Sequence, residues 1–291
     1  MRILSIQSSV GYGHVGNSAA TFPLQRLGHQ VWPVNTVHFS NHTGYGAWRG
    51  PVLDPADVRE VIAGIDDRGV LGTADAVLTG YQGSPGVAEV VLDTVARVRA
   101  LNPAAIYCCD PVLGDVDRGF FVLPGIPALM RDRVLPQADI VTPNQFELGY
   151  LAGDGSDPDT ATPADLSSVA AILAAVQRIR AMGPTTVLVT SVATSGICAD
   201  EMGMLAVDDS GAYRVSTPKL PISVNGLGDV TAALFLAHLP HGIEVALGRV
   251  ASSVHAILAA TVAAGSREIA LVAAQEQIAH PVGEFAVTKI G

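Results

Sequence analysis

The sequence predicts an α/β fold with a mostly parallel central sheet that is covered by helices on both faces. Short apolar runs alternate along the chain with longer segments whose apolar residues recur at helical spacing. This alternation is typical of right-handed βαβ units, which build parallel sheets. Glycine-rich loops or single acidic residues follow several of the apolar runs, and ligands bind at that end of the strands in such sheets.

In the first half of the chain, short apolar runs predict strands at residues 3–6, 30–37, 76–79 and 106–109. Helical periodicity predicts helices at residues 17–27, 54–65 and 87–101. Gly28 suits the end of the first helix, and Pro55 suits the first turn of the second. Residues 39–50 and 113–122 mix glycine with polar and aromatic side chains, which is typical of binding loops. We expect both segments to be lids, and the second to be a mobile loop.

In the second half, helical periodicity predicts helices at residues 128–134, 164–182, 227–238 and 244–264, and another that begins within residues 142–148. Strands are predicted at residues 140–141 and 186–190. Two further strands, at residues 202–207 and 213–216, flank a turn at residues 208–211 and predict a hairpin. Residues 153–163 are rich in Gly, Asp, Pro and Thr and predict a surface loop.

Composition restricts the class of protein. No linker or internal repeat interrupts the pattern, so we expect one domain over residues 1–291. The formal net charge of −10 disfavours nucleic acids and anionic membranes as partners. The longest uncharged apolar stretch near the C-terminus, between Arg249 and Arg267, contains polar residues and predicts a buried helix rather than a membrane span. Three cysteines, two of them adjacent, form no disulfide framework, which indicates a reduced, cytoplasmic protein.

The stretch at residues 225–229, Asn-Gly-Leu-Gly-Asp, carries the strongest chemical signal. Gly226 and Gly228 let backbone N–H groups approach an anion closely, and the start of the following helix adds its positive dipole end. Asp229 is then placed to accept a proton beside a bound phosphate. On these residues alone, a glycine turn in which Asp229 merely caps a helix is an equally good interpretation.

Residues 11–16, Gly-Tyr-Gly-His-Val-Gly, fit the G-x-G-x-x-G pattern between a strand and a helix. A dinucleotide site also needs an acidic residue about twenty positions later, at the end of the second strand. No acidic residue occurs there before Asp54. A nicotinamide or flavin enzyme is therefore a weaker alternative.

Asp110 and Glu147 each follow a predicted strand. Either residue alone is best explained as a turn or a helix cap. Together at one edge of the sheet, their hard oxygen atoms favour Mg²⁺, which keeps water ligands and bridges phosphate oxygens.

These motifs together resemble one known family, the pyridoxal kinases. Order and spacing match over residues 2–290, and the matching segments are 6–9, 13–19, 34–43, 79–84, 110–114, 142–148 and 225–229. The amino-terminal and lid segments are specific to that family. The closing Gly-x-Gly-Asp belongs to the wider ribokinase-like superfamily.

The resemblance implies a ribokinase-like three-layer sandwich and an ATP-dependent kinase acting on the 5′-hydroxyl of pyridoxal. It also implies Mg²⁺ with ATP as co-substrate, commonly K⁺, and usually a homodimer. When the site residues of that family are placed on the matching positions of this sequence, the resemblance implies that Asp229 is the base and that Gly226 and Gly228 form the anion hole. The other site residues that the resemblance implies are Ser9, Phe39, His42, Thr43, Gly44 and Tyr81 for pyridoxal; Asp110, Asn144, Glu147, Thr190, Thr217, Pro218, Lys219 and Leu220 for ATP; and Asp110 and Glu147 for the metal ion.

One departure from the family concerns charge. Related kinases end the strand before the hairpin in a lysine that neutralises ATP phosphates, whereas this chain has Thr190 there. A hydroxyl donates a hydrogen bond but brings no charge. We expect Lys219 to make up part of the loss.

Two further alternatives remain open at this point. One is a kinase of the same fold that acts on hydroxymethylpyrimidine or on the other B6 vitamers. The other is a carrier that holds pyridoxal or its phosphate without turnover, which the change at Thr190 favours. An intact Asp229 beside a complete glycine loop argues against a carrier, because binding alone needs no base.

Overall fold

The computed structural model describes residues 1–155 and 157–291, so part of the predicted surface loop at residues 153–163 lies outside the described residues. Its strands are β1 Arg2–Val10, β2 Gln30–Phe39, β3 Ala76–Thr79, β4 Ile106–Cys109, β5 Gly114–Asp115, β6 Gly119–Phe120, β7 Ile140–Val141, β8 Thr186–Val192, β9 Glu201–Asp208, β10 Gly211–Pro218 and β11 Thr288–Lys289. Its α-helices are α1 Asn17–Arg26, α2 Pro55–Asp67, α3 Pro85–Leu101, α4 Ile126–Leu129, α5 Gln145–Leu151, α6 Val169–Met182, α7 Leu227–His238, α8 Ile243–Ala264 and α9 Gln275–Ala279.

Within the described residues, nine strands form one sheet in the order β2-β1-β3-β4-β7-β8-β9-β10-β11. The strands from β2 to β8 in this order pair in parallel, whereas β9, β10 and β11 pair antiparallel. This arrangement confirms the predicted mostly parallel sheet. The hairpin of β9 and β10 is also confirmed, with Asp208 opposite Gly211 at its turn.

Helices cover both faces of the sheet, which makes the fold a three-layer α/β sandwich as predicted. One core contains buried side chains of α2, α3, α5 and α6 against the strands. The second core contains those of α1, α7, α8 and α9 on the opposite face. Because the strands are covered on both sides, their apolar runs are nearly continuous rather than alternating.

The structure differs from the sequence prediction in several places, and the first is β1, which extends to Val10 rather than ending at residue 6. Helix α6 begins at Val169 rather than 164, because the Ser168 side chain caps it by accepting from the Ala171 N–H. The predicted loop at residues 113–122 contains the short hairpin β5–β6. The helix predicted at residues 128–134 begins earlier, as α4, and continues as a π-helical turn. No elements were predicted for α9 and β11, which are too short to show a period.

Helix α8 is the one described helix that has the length and composition of a membrane span. Its buried residues, among them Leu247, Val250 and Ile257, pack into the second core. The prediction of a buried helix is therefore confirmed.

The carboxyl ends of the parallel strands meet at one rim of the sheet. The two antiparallel strands next to β8 bring further segments there, because β9 starts and β10 ends at that rim, where Pro218 pairs with Glu201. Every segment that the sequence singled out for chemistry begins at this rim or packs against it.

Candidate active site

The turn at the start of α7 is built so that only glycine fits at its first position. Gly226 has φ 88° and precedes the helix. A Cβ atom at Gly226 would lie 1.8 Å from the carbonyl oxygen of His14, so the loop at residues 11–16 packs directly on this turn. Gly228 is exposed, and the nearest atom that a Cβ there would meet is a carboxylate oxygen of Asp110, 3.9 Å away. The first turn of α7 therefore presents free N–H groups to solvent.

Asp229 lies in this first turn and is half-buried. Burial raises the pKa of Asp229 to about 6, and the backbone N–H groups of Gly16 and of Asp229 itself act in the opposite direction. An acid with a pKa near 6 is ionised at neutral pH but still able to hold a proton. The Gly16 N–H belongs to the glycine loop after β1, so that loop contacts the Asp229 carboxylate directly.

Asp110 follows β4 and is 5% exposed. Its carboxylate accepts a hydrogen bond from the Thr142 hydroxyl at 3.0 Å. Burial, followed by the negative charges of Glu147 and Asp229, raises the pKa of Asp110 well above its ordinary value. The Asp110 carboxyl group therefore lies close enough to those of Glu147 and Asp229 to be repelled by both, as the prediction of a shared rim requires.

Glu147 is held by backbone N–H groups from two segments. One carboxylate oxygen accepts from Leu113 at 2.9 Å and from Gly114 at 3.4 Å, and the other accepts from Asn144 at 2.9 Å. The Asn144 side chain accepts from the Glu147 N–H, which completes a capping box at the start of α5. Burial raises the pKa of Glu147 to about 7 against the effect of these donors. The helix-cap interpretation is thus correct for Glu147, and its carboxylate also anchors the segment at residues 113–114.

The donor set suits a hard cation. Asp110, Glu147 and Asp229 offer carboxylate oxygens, and within residues 1–155 and 157–291 none of them forms an ion pair. Within the described part of the chain, no three His, Cys, Asp or Glu side chains are placed so that they could hold a metal ion by themselves. A metal ion bound by these carboxylates would take its remaining ligands from phosphate and water. Mg²⁺ is commonly coordinated in this way.

Opposite these acids, the segment at residues 39–50 packs against the glycine turn. Residues Thr43–Tyr45 form a 3₁₀ turn, and a Cβ atom at Gly44 would lie 2.6 Å from the Asn225 side-chain nitrogen. His42 is 7% exposed, and its Nδ1 atom has no hydrogen-bond partner among the described residues. Gly44 and the unpartnered face of His42 therefore border the turn that carries Asp229.

Glu268 ties this segment to the glycine loop. Its carboxylate accepts from the Tyr45 hydroxyl at 2.7 Å and from the His14 N–H at 3.1 Å, and it lies 3.0 Å from His42 Nε2. Arg267 stacks on the Tyr45 ring at 4.4 Å. The sequence analysis missed Glu268, because 226 residues separate it from His42 and no motif surrounds it.

The other residues predicted to hold pyridoxal lie where β1, β2 and β3 end. Ser9 is inside β1 rather than after it, and its hydroxyl is 3.2 Å from that of Ser18. Phe39 ends β2 and packs beside the Trp48 ring, with centroids 6.0 Å apart. Tyr81 packs with Phe39 in a small apolar cluster, and burial raises the pKa of its hydroxyl. An aromatic wall therefore lies next to the lid.

The predicted ATP residues divide into two groups. Thr190 is buried in β8 and forms a parallel bridge with Asn144, so it lies beside Glu147. Ser191, immediately after it, is the one described non-glycine residue with positive φ, at 55°. This strained backbone belongs to the rim and is typical of binding sites.

Thr217, Pro218, Lys219 and Leu220 lie at the same rim but not against Thr190. Strand β9 separates β10 from β8, so the two groups are about 10 Å apart. Lys219 is exposed and its backbone N–H donates to Asp200, while its amino group forms no ion pair in the described residues. The amino group is thus free to bind an anion.

Comparison with known proteins adds to this geometry. The pattern of the family described as phosphomethylpyrimidine kinase matches residues 63–269. The chain is 58% identical over 293 residues to the pyridoxal kinase PdxY of Leifsonia xyli subsp. xyli, which covers 100% of both chains. It is 57% identical to the pyridoxal kinase PdxY of Rubrobacter xylanophilus, with 100% of this chain and 98% of that one covered.

Among solved structures, the fold resembles the pyridoxal kinase from Leishmania donovani in complex with ADP and ginkgotoxin. The TM-score is 0.89 at 30% sequence identity, and the match covers 100% of this chain and 99% of that one.

Proposed function

The chain belongs to the pyridoxal kinase family, and on this basis we propose that it transfers the γ-phosphoryl group of ATP to the 5′-hydroxyl of pyridoxal. The observation that carries the proposal is Asp229, whose carboxylate stands at the start of α7 beside a two-glycine turn and near Asp110. A base beside a set of unpaired N–H groups is what phosphoryl transfer to an alcohol requires.

In this reaction the hydroxyl oxygen of pyridoxal bonds to the γ-phosphorus, while the bond from that phosphorus to the bridging oxygen of ADP breaks. Asp229 takes the hydroxyl proton. The N–H groups of the turn at Gly226 and Gly228, with the positive end of the α7 dipole, stabilise charge on the transferred group. Positioning and charge neutralisation supply most of the rate enhancement in such reactions.

Mg²⁺ bound with ATP supplies positive charge to the β- and γ-phosphates. Asp110 and Glu147 are the residues that would hold it, Asp110 through its carboxylate and Glu147 through a carboxylate that already anchors residues 113–114. Raised pKa values at both groups support this role, because a cation relieves the repulsion among buried acids. We propose K⁺ as a second ion from the resemblance alone.

Pyridoxal would lie between Tyr81 and the lid at residues 39–50, which begins at Phe39. Tyr81 and Phe39 offer apolar surface, while Ser9, Thr43 and the free Nδ1 of His42 offer hydrogen bonds to the ring substituents. Gly44 lets the lid approach Asn225. The second lid, at residues 113–122, is fastened beside Asp110 by Glu147, so both lids border the reacting groups and exclude water from ATP.

ATP would run along the rim from the glycine turn to the end of β10. Asn144 uses its side chain to cap α5 and to donate to the Gly114 carbonyl at 2.8 Å, so it shapes the phosphate site rather than contacting it freely. Thr190 offers a hydroxyl, and Lys219 the charge. Thr217, Pro218 and Leu220 line the nucleotide end.

The remaining proposals concern the whole protein. We propose a single domain over residues 1–291 because one sheet runs through it. A homodimer and a cytoplasmic location rest on the resemblance and on the absence of a disulfide pattern. A size measurement by light scattering tests the dimer directly.

An assay with ATP and Mg²⁺ on pyridoxal, pyridoxine and pyridoxamine tests the function. We expect pyridoxal phosphate and ADP in equal amounts, and loss of both with Asp229→Asn. Hydroxymethylpyrimidine and its phosphate are the competing substrates, since the first is the open alternative of the same fold and the matched family description names phosphomethylpyrimidine. Binding of pyridoxal with no ADP from any of these compounds would make the protein a carrier.

A further inference from the structure

A cavity of about 320 Å³ lies at the carboxyl end of α7, away from the site described above. Four of the eight histidines of the chain line it, together with one arginine: His29, His238, His241, His280 and Arg249. No Asp or Glu side chain belongs to its lining in the part of the chain that the structure describes. This concentration of basic groups is unusual in a chain whose net charge is −10.

Arg249 has no partner within residues 1–155 and 157–291. It is half-buried on α8, yet it forms neither a hydrogen bond nor an ion pair there, whereas Arg26 pairs with Glu276 at 2.8 Å on a neighbouring helix. A partly buried guanidinium without an anion is unfavourable. The arrangement is therefore suited to an anion from solution.

His238 supplies a second unsatisfied group. It is 4% exposed, and its Nε2 atom is buried without a hydrogen-bond partner in the described residues. Burial, together with the positive charges of Arg249, His241 and His29, lowers the pKa of His238 to about 4. These groups are thus close enough to interact, and the His238 and His241 ring centroids are 6.5 Å apart.

We propose that this cavity binds a phosphate-type dianion, either inorganic phosphate or the phosphate group of a monoester. Arginine binds phosphate through two parallel hydrogen bonds, and imidazole N–H groups add donors from other directions. A shared metal ion is the other ligand that histidines suggest. No three His, Cys, Asp or Glu side chains of the described chain are placed to hold one, so the geometry favours the anion.

The site is distinct from the phosphate region of the reaction. Helix α7 has twelve residues, so its ends are about 18 Å apart. Asp229 lies at one end and His238 at the other. Of the acidic residues on the surrounding helices, Glu276 is paired with Arg26, and Glu244 is exposed in the first turn of α8. The Met1 nitrogen lies 2.9 Å from Nδ1 of His29.

Histidine NMR tests the proposal on the full-length protein. The imidazole signals of all eight histidines, assigned with single His→Gln variants, are followed during titration with inorganic phosphate, phenyl phosphate or sodium chloride at equal ionic strength. We expect phosphate and phenyl phosphate, but not chloride, to move the signals of His29, His241 and His280. His255, outside the cavity, serves as the internal reference. Whichever phosphate compound saturates at lower concentration identifies the natural form of the ligand.

Two cavity variants and a control make the result specific. Arg249→Gln, and separately the exposed His241→Gln, should weaken the response roughly tenfold, while Arg97→Gln on α3 leaves it unchanged. Equal shifts with chloride, or an undiminished response in both cavity variants, would overturn the proposal. So would micromolar Zn²⁺ broadening the cavity signals while phosphate leaves them in place.

Discussion

At the scale of single residues, the proposed base Asp229 has to be ionised when substrate binds and then has to hold a proton. Burial raises its pKa toward neutrality, while the N–H groups of Gly16 and of Asp229 itself keep the charged form accessible. The adjacent glycines serve a different purpose, since Gly226 permits the close approach of the His14 carbonyl. The Asp229 carboxyl group and the turn at Gly226 thus both depend on the loop at residues 11–16.

The raised pKa of Asp229 predicts the pH dependence of turnover. Because the base works only when deprotonated, kcat/KM for pyridoxal should fall as the pH drops through about 6, close to tenfold per unit below it. Asp229→Asn should lower kcat by about 10²–10⁴ and remove this limb of the profile. A wild-type profile that stays flat down to pH 5 would exclude Asp229 as the base.

Lys219 is the second residue whose role can be isolated, since the chain has only one other lysine, Lys289. If Lys219 replaces the charge missing at Thr190, Lys219→Ala should raise KM for ATP several-fold, by about 1 kcal/mol of charge-assisted binding. KM for pyridoxal should not change.

Lys289→Ala is the matched control, because its amino group contacts the Ser210 carbonyl at the far turn of the hairpin. Unchanged ATP kinetics in Lys219→Ala would mean that Thr190 works without a compensating charge. Even in that case, Thr190→Lys should lower KM for ATP.

At the scale of elements, Glu268 attaches the middle of the lid at residues 39–50 to the rest of the site, while backbone bonds from Gly11 and Tyr12 attach its start. Glu268 follows α8 and receives hydrogen bonds from Tyr45 and from the loop after β1. The two ends of the lid also pair with each other, because the Ser40 N–H donates to the Arg49 carbonyl at 2.7 Å. The lid therefore has an internal structure of its own, and Glu268 determines where it rests.

Glu268→Gln should loosen this attachment without removing any proposed substrate contact. Gln offers one acceptor where the carboxylate has two, so part of the contact with His42, Tyr45 and His14 is lost. We expect KM for pyridoxal to rise several-fold and ATP hydrolysis without pyridoxal to increase, because water enters a less closed site.

Glu276→Gln, which breaks an exposed ion pair on α9, provides the comparison. It should leave both quantities unchanged. If Glu268→Gln lowers only thermal stability, then Glu268 has a purely structural role.

At the scale of the whole molecule, folding brings three carboxyl groups together from distant parts of the chain. Asp110, Glu147 and Asp229 follow different strands and meet because parallel strands end at one rim. The raised pKa values show that the fold alone does not favour their charges. Stability is thus lower than the packing would allow, which is common where binding sites are built.

Asp110→Asn should accordingly stabilise the ligand-free protein at neutral pH. The pKa of Asp110 is raised in the fold, so its ionised form costs stability once the pH exceeds the ordinary value of about 4. The variant can keep the bond from Thr142. We expect Tm to rise by about 2–4 °C at pH 7.5, and less as the pH is lowered, while ATP use declines.

Asp93→Asn is the control, since this exposed acid on α3 contacts Arg59 only at 3.8 Å and its change should not alter Tm. A lower Tm for Asp110→Asn would show that the ionised carboxylate is stabilised by contacts in the ligand-free fold.

Much of the fold was predictable because it depends on local patterns. Strands β3 and β4 and helix α7 have the predicted bounds, since apolar runs and helical spacing are properties of neighbouring residues. That the site segments lie at one rim was predictable too, because parallel strands share one binding end. The predicted start of α6 at residue 164 was wrong, because the Ser168 side chain caps the helix and overrides the helical spacing of residues 164–168.

The sequence by itself determined the fold class, the glycine turn before Asp229, and the acids that follow strands. Only the tertiary structure decided that the Glu147 carboxylate anchors residues 113–114, that Glu268 holds the lid, and that four histidines and Arg249 share a cavity. These are contacts between residues far apart in sequence, and local periodicity carries no information about them. They exist because helices packed on two faces of one sheet bring distant side chains together, and the energy of each contact depends on that packing.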